Sequence, residues 1–246
     1  MAASMRERTT GKLYDLWAWF YDYTFGALVR QRQVKAVQTL RAKPGELVLD
    51  LGVGTGMTLP HYPKNVRIVG LDLSAGMLAK ARRKVAEHGL SNVQLMQGDA
   101  MRPPFPDHCF DHILITHVIS VVSDPANLLR QAKRLVRPGG RVVMLNHFQS
   151  SFGVVRFFEK ILNPLFVKIG WRSDLDLGQL LRACPMDVEY QFKMGAFDLW
   201  QIVVLSDAPT PGTGSNAAAA RSVSASQAAS SQNAPHISLG WTTAAG

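Results

Sequence analysis

The sequence predicts an α/β protein with a doubly wound, mostly parallel sheet covered by helices, and three observations lead there. Short β-branched and apolar runs alternate with helical patterns over residues 1–205, the arrangement of parallel strands joined by crossover helices. The first run leads straight into a glycine-rich turn at Gly52, Gly54 and Gly56. The last two runs are joined by a turn containing Gly195, too short for a crossover helix and so an antiparallel hairpin closing one edge of the sheet.

In chain order, residues 1–40 form an N-terminal region whose segment Leu13 to Val29 is read as an amphipathic helix. Residues 41–205 form the main domain. Its strands are Glu46 to Leu51, Val66 to Asp72, Val93 to Gly98, Phe110 to Thr116 and Arg141 to Asn146, followed by the hairpin runs Val188 to Met194 and Asp198 to Leu205. Between them, Ala75 to His88 and Pro125 to Val136 have helical patterning. The second is N-capped by Ser123 or Asp124 and closed by Pro138-Gly139-Gly140. From Ser206 the composition turns to Ala, Ser, Thr, Gly and Pro, and residues 206–246 are expected to form a disordered tail with too little to bury.

Composition narrows the function. Apolar residues make up 47% of the 246 and charged residues 18%, below the roughly 25% of an average soluble protein, so an unfolded chain is excluded. Lys and Arg total 27 against 18 Asp and Glu, a net charge of +9, which attracts nucleic acid or an anionic membrane alike. Cys109 and Cys184 stand 75 residues apart with no metal-ligand spacing, so neither a disulfide scaffold nor a structural zinc site is expected, and no metal site is expected. The N-terminus lacks an apolar core directly behind its charges, and the longest nearly apolar run, Ile113 to Val122, is interrupted by polar residues. A secretory signal and a spanning helix are therefore not expected, and the expected location is cytoplasmic.

The chemistry begins at Leu47-Val48-Leu49-Asp50-Leu51-Gly52-Val53-Gly54-Thr55-Gly56. Glycines at such a turn let the backbone approach a ligand that any Cβ would block. A dinucleotide-binding turn would carry its third glycine one place later, where Met57 stands, and Asp50 would repel a pyrophosphate but suits an ammonium group. Asp72, 22 residues beyond Asp50, ends the second strand, where a carboxylate can accept from both ribose hydroxyls. Asp99, with Ala100 and Met101, follows the third strand and can face an adenine amino group. Three acids at the ends of three consecutive strands, with glycines between, describe a site for a nucleoside joined to an amino acid and lacking phosphate, which is S-adenosylmethionine.

With these motifs the chain, over about residues 44–205, resembles the class I methyltransferases. The resemblance implies a Rossmann-like, seven-stranded sheet with a reversed seventh strand, which agrees with the hairpin. It also implies a cofactor site of Tyr14, Asp50, Gly52, Gly54, Thr55, Gly56, Asp72, Leu73, Met77, Asp99, Ala100, Met101 and His117. The amino-methylation signature of nucleic-acid methyltransferases, Asn or Asp with two prolines and an aromatic, is absent after the fourth strand, where Thr116-His117-Val118-Ile119 stands. No Pro-Cys nucleophile is present either.

Two segments point to the acceptor. Seven of the 21 aromatic residues fall within Tyr14 to Phe25, followed by Arg30, Arg32 and Lys35, a composition suited to the headgroup level of a bilayer. Phe148 to Trp171 combines an apolar helical stripe with Arg156, Lys160 and Lys168. An anionic membrane surface touched by both segments is the expected partner, and nucleic acid is not. Tyr14-Asp15, Ala18 and Tyr21-Asp22 resemble the YDxxAxxYD pattern of quinone and phospholipid methyltransferases. Asn146-His147-Phe148 and Trp171-Arg172-Ser173-Asp174 are similar to the bacterial phosphatidylethanolamine N-methyltransferases. That resemblance implies stepwise methylation of a phospholipid amine on the inner face of the cell membrane, with a quinone precursor or other small apolar acceptor as the alternative. His147 is the first candidate for the proton acceptor, with Tyr21 or His117 behind it. Tyr23, Asn146 and Arg172 are candidates for holding the substrate, and Tyr14, Tyr21 and Tyr23 can cradle an ammonium by cation–π contact.

Overall fold

The computed structural model describes residues 26–148, 175–195 and 198–206. The elements are α1 (Gly26–Leu40), β1 (Leu47–Leu51), a 3₁₀ turn (Leu59–His61), β2 (Arg67–Asp72), α2 (Ala75–Glu87), β3 (Val93–Gln97), β4 (Phe110–Thr116), α3 (Pro125–Leu135), β5 (Val136–His147), α4 (Leu177–Ala183), β6 (Asp187–Phe192) and β7 (Trp200–Ser206). They build one seven-stranded sheet of order β3-β2-β1-β4-β5-β7-β6. β1 to β5 are parallel and β7 lies antiparallel between β5 and β6. This is the doubly wound sheet with a reversed seventh strand that the sequence predicts, with the hairpin at its edge.

Local chemistry accounts for the elements. All five residues of β1 are buried, as a central parallel strand covered on both faces requires. Leu47, Leu49 and Leu51 join the core beneath α3 and α4, whereas Val48 joins the core beneath α1 and α2. Alternation therefore points Asp50 to the α1 side. Among the described residues each helix after β2 starts on a side-chain acceptor: Ser74 accepts from the Met77 amide, Asp124 from Asn127 and Asp176 from Gln179. Asp124, the second of the two expected caps, is the one used. α3 buries Leu128, Leu129, Ala132 and Leu135, one stripe of a 3.6-residue period.

Pro138-Gly139-Gly140 departs from expectation. The sequence assigns it to closing α3, but that helix ends at Leu135, Val136 is already extended (φ −74°, ψ 141°) and the three residues lie inside β5. They form an irregularity where the pairing with β4 jumps from Phe110↔Val136 to His112↔Arg141. A Cβ on Gly140 would stand 2.2 Å from the Asp111 carbonyl oxygen, whereas one on Gly139 (φ +79°) would meet nothing within 4 Å. Gly140→Ala is therefore expected to cost about 3 kcal/mol, a Tm drop of roughly 6–12 °C. Gly139→Ala should lose only the left-handed strain of about 1–2 kcal/mol. Thermal unfolding of the two variants checks this, and equal losses would refute it.

α1 runs antiparallel to β1. Its C-terminal end leads through residues 41–46 into β1, and at its middle the Arg32 side chain reaches Asp198 (2.9 Å) and lies 4.8 Å over the Trp200 ring, which is paired with His147. The described chain thus enters beside the carboxyl ends of the parallel strands and leaves there again at Phe148. The expected N-terminal amphipathic helix, for its residues before Gly26, and the 206–246 tail, apart from Ser206 at the end of β7, lie outside the described residues. Phe148, first residue of the second amphipathic segment, is a core residue at 4% exposure and so is no part of a surface. The rest of that segment lies outside the described residues.

Candidate functional site

Five strands end along one edge, and the polar residues singled out by sequence gather there. Asp50 is fully buried. Its Oδ2 accepts from the Thr58 hydroxyl and the Tyr62 phenol (3.0 Å), while Oδ1 has no hydrogen-bond partner among the described residues. Burial raises its carboxyl from 3.8 to about 6; the two hydrogen bonds oppose this and the charge on Asp72 adds to it. Tyr62 is pushed well above the usual phenol range by burial and by the carboxylate it contacts. Neither Thr58 nor Tyr62 is signalled by the sequence, because eight and twelve residues of irregular chain separate them from Asp50.

The glycine turn is tied to its surroundings at several points. Gly52 and Val53 donate to the Leu71 carbonyl at the end of β2 (2.8 and 3.0 Å), and Lys84 Nζ donates to the Thr55 carbonyl (3.1 Å). All three glycines have positive φ, but their surroundings differ. A Cβ at Gly52 would strike Val118 (2.7 Å) and one at Gly56 would strike Leu59 (2.8 Å), whereas at Gly54 it would enter open space. Gly52 and Gly56 serve packing, and Gly54 borders room for a ligand.

Asp72 links turn to helix. Its Oδ2 accepts from Gly54 N–H (2.8 Å) and its Oδ1 from Ser74 N–H (2.9 Å), each oxygen keeping capacity for a second donor. Leu73 beside it is 68% exposed, apolar surface that a flat ring would cover. Met77 lies in the first turn of α2, its amide held by Ser74. One strand further out, Asp99 accepts from the Met101 amide (2.8 Å), an Asx turn that holds Ala100 and Met101 against the core. Asn127 Nδ2 donates to the Met101 carbonyl (3.1 Å), and Arg134 fixes the following loop through Pro103 and Phe105 carbonyls.

On the other side of β1, His117 follows β4 in a left-handed conformation (φ 60°), its N–H donating to Leu145 O (2.9 Å). Burial, with the positive Arg32 nearby, lowers its pKa to about 4, so the imidazole is neutral across the physiological range. Asn146 and His147 end β5, both buried. The Asn146 amide is engaged internally: Oδ1 accepts from Ser120 Oγ (3.1 Å) and Nδ2 donates to the His147 carbonyl (2.8 Å), tying the loop after β4 to the end of β5. Val143 and Leu145 belong to the core under α1, so alternation turns His147 toward α1 as well. Tyr14, Tyr21, Tyr23 and Arg172 lie outside the described residues. Arg32, Asp198, Trp200 and Gln33, which complete this end of the site, carry no motif and come together only through the packing of α1 on β7.

The arrangement fits a nucleoside-amino-acid cofactor: an unpartnered buried carboxylate oxygen for a cation, an open glycine for close approach, and acids at the ends of β2 and β3. A family model described as a methyltransferase domain matches residues 49–144. The phosphatidylethanolamine N-methyltransferase of Cereibacter sphaeroides is 37% identical over 182 residues, 74% of this chain and 89% of that protein. A demethylmenaquinone methyltransferase of Bacillus cytotoxicus is 36% identical over 147 residues, 56% of this chain and 62% of that one. Among solved structures, an S-adenosylmethionine-dependent methyltransferase of Thermotoga maritima superposes with a TM-score of 0.57 at 21% identity, covering 82% of this chain and 97% of that one. The family model spans the glycine turn, Asp72 and Asp99, the strand order is that of a doubly wound sheet with a reversed seventh strand, and the chain belongs to the class I methyltransferases that use S-adenosylmethionine as methyl donor.

Proposed function

We propose that this methyltransferase acts on the amine of phosphatidylethanolamine, stepwise toward the mono- and dimethyl lipids and phosphatidylcholine, at the surface of a membrane. The observation that carries this reading is the extent of the likeness to the N-methyltransferase, 89% of that protein against 62% of the quinone enzyme. In this reading Asp72 holds the ribose, Asp99, Ala100 and Met101 flank the adenine, and Asp50 faces the ammonium across Gly54. Thr55, Leu73, Met77 and His117, with Tyr14, line the remainder, and Gly52 and Gly56, expected at the cofactor, instead pack the turn behind Gly54. The bound cofactor supplies an electrophilic methyl on sulfur.

The chain's own task is to hold the nitrogen in line with that methyl and to take up a proton. An amine of pKa about 10.4 is mostly protonated near neutrality and attacks only after losing one. His147, buried at the end of β5, is the proposed acceptor, with Tyr21 in support. Neutral His117 is too weak a base at about 4 and serves as a hydrogen-bonding wall. His147→Ala is expected to lower kcat by about 10²–10⁴ while leaving cofactor affinity unchanged; normal turnover would remove it from the mechanism.

Among the described residues no helix is long and apolar enough to cross a membrane. Contact with the inner face of the cell membrane is instead assigned to Tyr14 to Phe25 and to the residues of the second segment beyond Phe148. Both join the described chain beside the site, at Gly26 and at Phe148, and the net charge of +9 favours an anionic surface. Tyr23 and Arg172 are proposed to hold the headgroup. Vesicles of phosphatidylethanolamine incubated with protein and S-adenosylmethionine should yield methylated headgroups; an unchanged lipid profile with cofactor bound would overturn the reading. The likeness to demethylmenaquinone methyltransferase favours a second reading, a quinone precursor as acceptor, and the same assay with that acceptor separates the two.

A further inference from the structure

Gln33 lies on the inner face of α1, one turn before Ala36 and Val37 and one turn after Val29, all three in the core beneath that helix. It is 5% exposed, and its Oε1 has no hydrogen-bond partner among the described residues. An acceptor buried without a donor costs stability, so its retention calls for a donor that arrives with a ligand. Its neighbour Arg32 stacks on Trp200, the ladder partner of His147, and α1 packs over β4, β5 and β7. Gln33 thus belongs to the half of the site beyond β1, on the side to which His147 turns.

The cofactor's donors are matched elsewhere. Its ammonium, ribose hydroxyls and adenine amine are assigned to Asp50, Asp72 and Asp99 on β1, β2 and β3. The donor left over belongs to the acceptor molecule. We propose that Gln33 Oε1 accepts a hydrogen bond from the substrate nitrogen, so that this residue selects amines still carrying N–H; this rests on the reading of the acceptor as a lipid amine. The neutral, reacting form of a primary amine has two N–H bonds, that of a secondary amine one and that of a tertiary amine none. Gln33 therefore assists the first two transfers and not the third, and gives nothing to a carbon nucleophile.

The test offers wild type and Gln33→Leu vesicles of phosphatidylethanolamine, its monomethyl form or its dimethyl form. The expected result is a loss of about tenfold in kcat/KM on the first two lipids, little change on dimethyl-phosphatidylethanolamine, unchanged S-adenosylmethionine affinity, and a Tm equal to or above wild type because the buried acceptor is gone. Equal loss on all three lipids, no loss on any, or a fall in both Tm and cofactor affinity would overturn the proposal. Should the Leu variant not fold, Gln33→Met keeps the unbranched side chain and serves in the same comparison. A wild type inert toward phosphatidylethanolamine removes the amine reading and this assignment with it. An active wild type with an unchanged ratio of first to third transfer removes the assignment alone.

Discussion

Replacement of Asp72 by Ala is expected to raise the dissociation constant for S-adenosylmethionine at least about hundredfold, since hydrogen bonds to a charged group are worth about 1.5–3 kcal/mol each and two ribose hydroxyls would lose theirs. The carboxylate also holds Gly54 N–H at 2.8 Å and Ser74 N–H at 2.9 Å, so the Ala variant loosens the glycine turn as well. Two companions separate these effects. Asp72→Asn keeps one acceptor oxygen and should fall between wild type and Ala. Gly54→Ala leaves Asp72 intact and puts a methyl group where the structure has open space; it should weaken binding strongly while costing only the left-handed strain of about 1–2 kcal/mol. Calorimetric titration alongside thermal unfolding reads both quantities. Unchanged affinity in the Asp72→Ala variant would refute its ribose role, and unchanged affinity in Gly54→Ala would move the ligand away from the turn.

Asp50 is expected to make both stability and cofactor affinity depend on pH, in opposite directions. Its carboxyl titrates near 3.8 when exposed and about 6 in the folded protein, chiefly because burial disfavours the charged form. A raised folded pKa means that stability is fully present below about 4 and is lost as pH rises through about 6, by about 3 kcal/mol at 1.36 kcal/mol per unit. Asp50→Asn removes the ionisation, so the cofactor-free variant should gain on wild type between about pH 4 and pH 7. An ammonium beside the ionised carboxylate offsets the same cost, so wild-type affinity for S-adenosylmethionine should rise with pH over that window as binding releases a proton. The Asn variant should bind more weakly and without that rise. Tm values and isothermal titrations at three pH values test the pair of trends, and parallel curves for the two proteins would exclude Asp50 as the origin.

Much of the fold is legible in the sequence because the signals are local. The buried run before Gly52, the Asp124 cap and the Gly195 turn act within a few residues of themselves, and the elements they mark stand within a residue or two of expectation. The place of Pro138-Gly139-Gly140 depends on a neighbouring strand: Gly140 is required by the Asp111 carbonyl on β4, which no pattern along the chain reveals. That Asp50, Asp72 and Asp99 share one edge of the sheet is legible for the same reason as the strands. Parallel strands must end at one edge, so acids at three successive strand ends converge wherever the crossovers run.

By itself, then, the sequence determined the doubly wound sheet and its reversed strand, and it marked the acids and glycines proposed to hold the methyl donor, since each follows from short-range geometry repeated along the chain. Only the tertiary structure decided what surrounds them. It set Thr58 and Tyr62 on Asp50, spent the Asn146 amide on Ser120 and His147, buried Gln33 under α1 and laid the half-buried Arg32 over Trp200 beside the end of β5. Those contacts join residues far apart in the chain through the packing of one helix across β4, β5 and β7, and packing is a property of two surfaces meeting, which neither surface carries alone.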